Sequence, residues 1–247
     1  MKVYLLLAFV VIVGGLFSIY IIGLPRVYIQ ENVEPISPHL FGDSRQPIST
    51  INLVAFYFVP QNKTASQITN WREILATNLQ ALKRFHEFQF GSSSRIHVLI
   101  YPRPIIGRND NPLYDTSVTQ YGNPSALRSI SEELNDRVFN SHGDLYVPDA
   151  SSTDPDIWPV SYILYEGVGA SGTLHNALLS RIFFTDPQYN QRGSSYFVHE
   201  FYHTLGIPDG YDLTTTLSNT DDIMGAGRER PLDHAYLSGD TLTKMGL

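Results

Sequence analysis

The stretch FVHEFYHTLGIPDGYD, residues 197 to 212, constrains this chain more than any other part of it. His199 and His203 stand four positions apart, so on an α-helix both imidazoles project from one face, about one turn apart. That is the separation at which two ring nitrogens share one zinc ion, each at about 2.0–2.1 Å. Glu200 is rotated around the helix from His199, placed to reach a water on the metal without becoming a ligand. Gly206 suits the left-handed position that closes a helix, and Pro208 prevents the helix from resuming. The chain turns, and Asp209, ten positions after His199, comes round as a third ligand. Three protein ligands and one position left for water make a catalytic rather than a structural zinc site. A lone helical histidine is usually just a satisfied polar residue. An apolar-flanked His-Glu-x-x-His helix broken by glycine has no such plain structural use.

The N-terminus carries the second strong signal. From Val3 to Pro25, VYLLLAFVVIVGGLFSIYIIGLP contains no charged residue. About 20 apolar residues cross a bilayer as a helix, whereas a cleavable signal peptide has an apolar core of roughly 7–15 residues before a small-x-small site. The passable site, VGG ending at Gly15, leaves LFSIYIIGL exposed after cutting. Residues 1–25 therefore read as an uncleaved transmembrane anchor, with a signal peptide as the alternative. Lys2 and Arg26 flank the run with little charge asymmetry. The expectation is a single-pass membrane protein with its N-terminus inside, its body extracytoplasmic and residues 3–25 in the lipid bilayer. Residues 26–49, with prolines at 35, 38 and 47 and no sustained period, read as a stalk, and the body is expected over 50–247.

A formal net charge of −7 provides no basic face for nucleic acid. The absence of cysteine excludes disulfides, thiolate ligands and cysteine nucleophiles. Within the body, strands and helices alternate. INLVAFYFV (51–59) is a buried-strand run. A Thr64-x-x-Gln67 capping box precedes a helix whose Ile68, Trp71, Leu75, Leu79, Leu82 and Phe85 form one stripe. RIHVLIY (95–101) predicts a strand, and Pro124 opens a helix with Leu127, Ile130, Leu134 and Val138 on one side. Strands over 160–167 and 177–184 flank a glycine-bearing loop, and Ser194 or Ser195 is the expected N-cap of the motif helix. The order predicts mixed α/β layer packing.

HEFYHTLGIPD resembles the metzincin signature HExxHxxGxx(H/D), in the aspartate variant found in the snapalysin group; LGIPDGYD is also similar to immune inhibitor A-type peptidases. Metzincins carry a methionine in a tight turn beneath the zinc, and DDIMGAG (221–227) supplies Met224 between small residues. The resemblance covers about residues 194 to 227. It implies an α+β zincin fold: a mixed twisted sheet with backing helices, an active-site helix and a small C-terminal subdomain with the methionine turn. It further implies a zinc metalloendopeptidase in which His199, His203 and Asp209 hold the ion and Glu200 is the general base. The substrate is then an extended peptide paired with an edge strand, expected within residues 160–176.

Departures from the family matter too. Latency through a propeptide cysteine is impossible here. Ala226 stands where some members place a tyrosine after the turn methionine, which leaves Tyr211 and Tyr236 as candidate oxyanion stabilisers. Asp209 brings a negative charge where histidine is neutral, so the metal is a weaker Lewis acid. A third ligand from Glu229 lacks the helical context that another zincin branch requires. Aspartate clusters at 149–156 and 218–222 lack the spacing of a Ca²⁺ loop and read as solvated turns. Two alternatives to the peptidase share the zinc chemistry: a catalytically idle peptide-binding module, and an anchored hydrolase of a non-peptide amide. The retained Glu200 favours an enzyme.

Overall fold

In a computed structural model the described residues are 37–116, 124–139, 157–189, 191–210 and 221–247. The chain divides into residues 1–34 and 35–247, and all described residues belong to the second unit. The apolar run over 3–25 lies outside the described residues. Among the described residues no helix is long and apolar enough to cross a membrane.

The frame is a six-stranded mixed sheet. β3 (Thr50–Val59) runs through it between β4 (Arg95–Ile100) and β6 (Ile157–Tyr165), parallel to both. The short β5 (Ile105–Ile106) continues the β4 side of β3. Beyond β6 lie β8 (Asn176–Ser180), parallel to it, and β7 (Ala170–Thr173), the antiparallel edge. Strand alternation sorts side chains onto two faces. Ile51, Leu53, Ala55, Tyr57 and Val59 of β3 join one core, with Val160, Tyr162 and Leu164 of β6. Val54, Phe56 and Phe58 join the other, with Ile163 and Tyr165.

Each face has its own helices. Helix α1 (Trp71–Phe90) buries Trp71, Leu75, Leu79, Leu82 and Phe85 in the first core, as its stripe predicts. Helix α3 (Gly193–His203) packs in the same core through Phe197, Val198, Phe201 and Tyr202. At roughly 1.5–3 kcal/mol per fully buried large side chain, this face supplies most of what holds the helix down. On the other face, helix α2 (Pro124–Leu134) places Leu127, Ile130, Leu134 and, just beyond its end, Val138 in the second core. The mixed sheet with backing helices is the α+β architecture expected.

Several local expectations differ. The Thr64-x-x-Gln67 box does not cap α1: residues 61–66 make a 3-10 turn and Gln67 Nε2 instead donates to the Thr64 carbonyl at 3.0 Å. Asn62, tied to Asn111 at 2.7 Å, and the Ile68 amide, donating to the Tyr57 hydroxyl, hold this segment out of the helix. The strand expected over 177–184 ends at Ser180, whose hydroxyl accepts from the Ile182 amide as one helical turn, Ile182–Thr185, begins. Neither Ser194 nor Ser195 caps α3. Ser194 Oγ donates to Asn78 on α1, and Ser195 Oγ to the Arg230 carbonyl. Of the edge expected within 160–176, only β7 lies at the margin; β6 is flanked on both sides.

Part of the expected stalk is folded against the body. Residues His39–Leu40 (β1) and Asp43–Pro47 (β2) pair antiparallel, and Ile48 is buried. The amides of His39 and Gly42 donate to the carbonyls of Met245 and Lys244, the latter at the end of helix α4 (Gly239–Lys244). Phe41 N–H reaches the Leu205 carbonyl.

Candidate metal centre

The motif helix is fixed from below by β6. The Tyr162 ring stacks on Phe197 with centroids 3.8 Å apart, and its hydroxyl donates to the Phe197 carbonyl at 2.9 Å. Trp158 Nε1 donates to the Thr204 carbonyl at 3.0 Å, satisfying a backbone acceptor at the helix end. Gly206 has φ +82, and its amide donates to the His203 carbonyl while Ile207 N–H reaches back to Tyr202. This pair of bonds around a left-handed glycine is a Schellman closure, the stop expected at Gly206. It sends Pro208 and Asp209 back beneath the two histidines.

There the three expected ligands meet. His199 Nε2 and His203 Nε2 are 3.2 Å apart, and Asp209 Oδ1 lies 3.2 Å from the first and 3.4 Å from the second. They form the one cluster among the described residues whose side chains could hold a metal ion. A tetrahedral ion about 2.0–2.1 Å from each ligand sets ligand atoms about 3.3 Å apart. The observed triangle has that size.

The outer nitrogens of the two rings have partners that turn the inner nitrogens towards the triangle. His199 Nδ1 faces the Ile223 carbonyl at 2.9 Å, and His203 Nδ1 faces the Ile207 carbonyl at 2.8 Å. A carbonyl only accepts, so each Nδ1 carries a hydrogen, and Nε2 is the ring nitrogen left facing inward to meet a metal ion. Asp209 Oδ1 is buried with no hydrogen-bond partner. Three electron pairs thus converge on one point, an arrangement that asks for a cation. Burial alone favours neutral Asp209, but the two facing histidines prevail and hold its carboxyl far below the usual range. Burial lowers the proton affinity of His203, yet Asp209 and the Glu200 charge together raise it. Without a metal, the triangle attracts a proton instead.

Glu200 is buried beside the triangle. Burial, the largest cause, raises its pKa; the two histidines and Arg228 oppose that rise. Met224 is buried in a tight turn in which Asp222 accepts from the Gly225 amide through its carbonyl and from the Met224 amide through Oδ1. This turn holds the site twice over. Its Ile223 carbonyl orients His199, and the Met224 carbonyl accepts from Gly210 N–H, the residue after Asp209. On the opposite side β7 comes close: a Cβ on Gly172 would lie 2.5 Å from the His203 Cβ.

The remaining candidates are not brought in. Tyr211 lies outside the described residues. The Tyr236 side chain is exposed, while its backbone pairs with residues 221–223. Glu229 binds Arg192 and Tyr196, apart from the cluster. His175 stacks on Trp158 and bonds the Pro159 carbonyl. Of the aspartate clusters, 149–156 and 218–220 are outside the described residues. Asp221 pairs with Arg230, and the Asp222 carboxylate accepts from the Met224 and Ser238 amides. One charged residue beside the site has no mark in the sequence: Arg228 Nη1 is 4.0 Å from Asp209 Oδ1. Its spacing fits no motif. Only the close packing at Gly227 hints at it.

No known protein family matches the sequence, and no curated protein matches it. Solved structures do. Archaemetzincin from Methanopyrus kandleri aligns at 12% identity and TM-score 0.42 over 81% of this chain and 94% of its own. Metalloproteinase-II from Bacteroides fragilis aligns at 14% identity and TM-score 0.43 over 86% of this chain and 58% of its own.

Proposed function

We propose that the chain is a membrane-anchored zinc endopeptidase of metzincin type, held in the bilayer by residues 3–25 with its catalytic body outside the cytoplasm. The observation that carries the reading is the triangle of lone pairs: His199 Nε2, His203 Nε2 and Asp209 Oδ1 at 3.2–3.4 Å, with Asp209 Oδ1 buried and unpartnered. The donor set, two imidazoles and one carboxylate, suits zinc. When bound, the ion polarises the scissile carbonyl and acidifies the attacking water.

The chain's own groups do the rest. Glu200, its pKa raised by burial, accepts the proton of the attacking water and passes it to the leaving nitrogen. The Ile223 and Ile207 carbonyls fix the tautomer and direction of the two rings. The substrate is an extended peptide added as a strand to the free edge of β7, which lies over His203.

The test uses the full chain in detergent, zinc-loaded, with an unfolded protein as substrate and mass spectrometry to count new termini. Wild type cuts, Glu200→Ala keeps its zinc and does not, and a chelator stops the reaction. If both hold one zinc and neither cuts, the peptidase reading fails and an idle binding module replaces it.

A further inference from the structure

Around the triangle the charges are one-sided. Asp209 and Glu200 are both carboxylates, and Asp209 weakens the electrophile it helps to hold. As Glu200 takes the proton of the attacking water, its negative charge is replaced by one on the oxygen of the attacked carbonyl in the tetrahedral intermediate. A reaction of this kind needs a donor aimed at that oxygen. Among the described residues, Ala226 offers none and the Tyr236 side chain is exposed.

Arg228 is built into the site instead. Its Nη1 stands 4.0 Å from Asp209 Oδ1, with the side chain 22% exposed. Its charge also acts on the Glu200 carboxylate, so the guanidinium sits within electrostatic reach of both the ligand and the base. The turn that carries it is closely packed. Gly227 N–H donates to the Asp222 carbonyl, and a Cβ on Gly227 would lie 2.3 Å from the Asp221 oxygen. Only glycine allows the 226–229 turn to lie so close on the methionine turn. Glu229 locks the next position to α3 through Arg192 and the Tyr196 hydroxyl. Arg230 adds an ion pair to Asp221 at 2.8 Å and a carbonyl that accepts from Ser195.

The geometry points to Arg228 as a catalytic residue whose guanidinium donates to the oxyanion of the tetrahedral intermediate. The inference rests on the peptidase reading above. Attack of the water oxygen forms the new C–O bond and moves the carbonyl π pair onto oxygen, where Arg228 meets it. Collapse returns that pair and breaks the C–N bond, and the nitrogen takes the proton carried by Glu200. Arginine suits the task because it stays charged and presents several donors in one plane.

The test compares wild type, Arg228→Ala and Arg228→Lys as full chains in detergent. Zinc affinity is measured by competition with a chromophoric chelator, and peptide cleavage separately at full zinc loading. Removing a nearby positive charge tightens zinc binding in Arg228→Ala by about tenfold, the reverse of what damage to the site would do. In the same variant kcat falls by about 100-fold with KM little changed. Added guanidinium ion restores part of that loss, and Arg228→Lys retains wild-type zinc affinity with intermediate kcat. Weaker zinc binding in Arg228→Ala assigns Arg228 to holding the fold and overturns the inference. So does a wild-type kcat in a fully loaded Arg228→Ala chain. A wild type that holds zinc and cuts nothing overturns the peptidase reading itself, and this inference with it.

Discussion

Two carboxylate clusters in this molecule, around Glu166 and around Asp209, differ in what their oxygens face. Glu166, just past the C-terminal end of β6, is 2% exposed. It accepts from the Tyr57 hydroxyl on one oxygen and from Arg181 Nε on the other. Asp209 meets two histidines and an arginine, yet its buried Oδ1 has no hydrogen bond. In the first cluster each carboxylate oxygen faces a proton, so the group is complete as folded. In the second, both imidazole hydrogens point away to backbone carbonyls and the electron pairs face each other. Burial alone therefore does not mark a reactive centre; the direction of the protons does.

Breaking the complete cluster has the largest effect. Glu166→Ala leaves the buried Tyr57 hydroxyl and the partly exposed Arg181 without their acceptor and should cost about 3 kcal/mol in urea unfolding, with zinc affinity unchanged. The incomplete cluster behaves in the opposite way, because its stability lies in what it binds. At free zinc one hundred times Kd, chelation should lower unfolding stability by about 2.7 kcal/mol, and Glu166→Ala should lose as much on chelation as wild type. A chelator that leaves the melting curve in place would remove the distinction.

A third buried group sharpens the comparison through pH. His86 on α1 touches the Tyr202 hydroxyl and Ser94, and burial holds its pKa down, to about 3. The unfolded chain takes up a proton below about pH 6.5 while the folded one does not. Stability is thus full above that pH and falls as pH drops towards 3. Between pH 7 and 5 the loss is about 2 kcal/mol, from 1.36 kcal/mol per unit. His86→Leu should flatten that part of the pH profile; an unchanged slope would assign it to other groups. The last prediction isolates the second cluster: Asp209→Ala removes a direct ligand, and zinc affinity should drop beyond the 10–100-fold usual for outer-shell changes.

What the sequence discloses here follows from the range of the forces involved. The α1 stripe, the β3 run and the closure at Gly206 are local patterns, and each is where its spacing puts it. The two histidines share one helix, and Asp209 follows a glycine-proline break, so the triangle too was largely legible. Elements held by distant partners were not. β7 reads as a loop because Ala-Ser-Gly-Thr has no apolar alternation; its pairing with β8 makes it a strand. Thr64, Ser194 and Ser195 have capping chemistry, but their hydroxyls donate instead to the Gln61 carbonyl, to Asn78 and to the Arg230 carbonyl. Residues 39–47 fold because the carbonyls of Leu205, Lys244 and Met245 are waiting for them. Arg228 depends on a contact between turns that no spacing encodes.

Trp158 gives the site an optical consequence. The chain has two tryptophans, and Trp71 is the first residue of a different helix, α1. The Trp158 indole is tied to the Thr204 carbonyl at the end of α3 and stacked on His175 at 4.1 Å. A Trp71→Phe chain therefore has a single emitter fixed to the end of the helix that carries both histidines. Its fluorescence reports, without any added label, whether that helix end is in place.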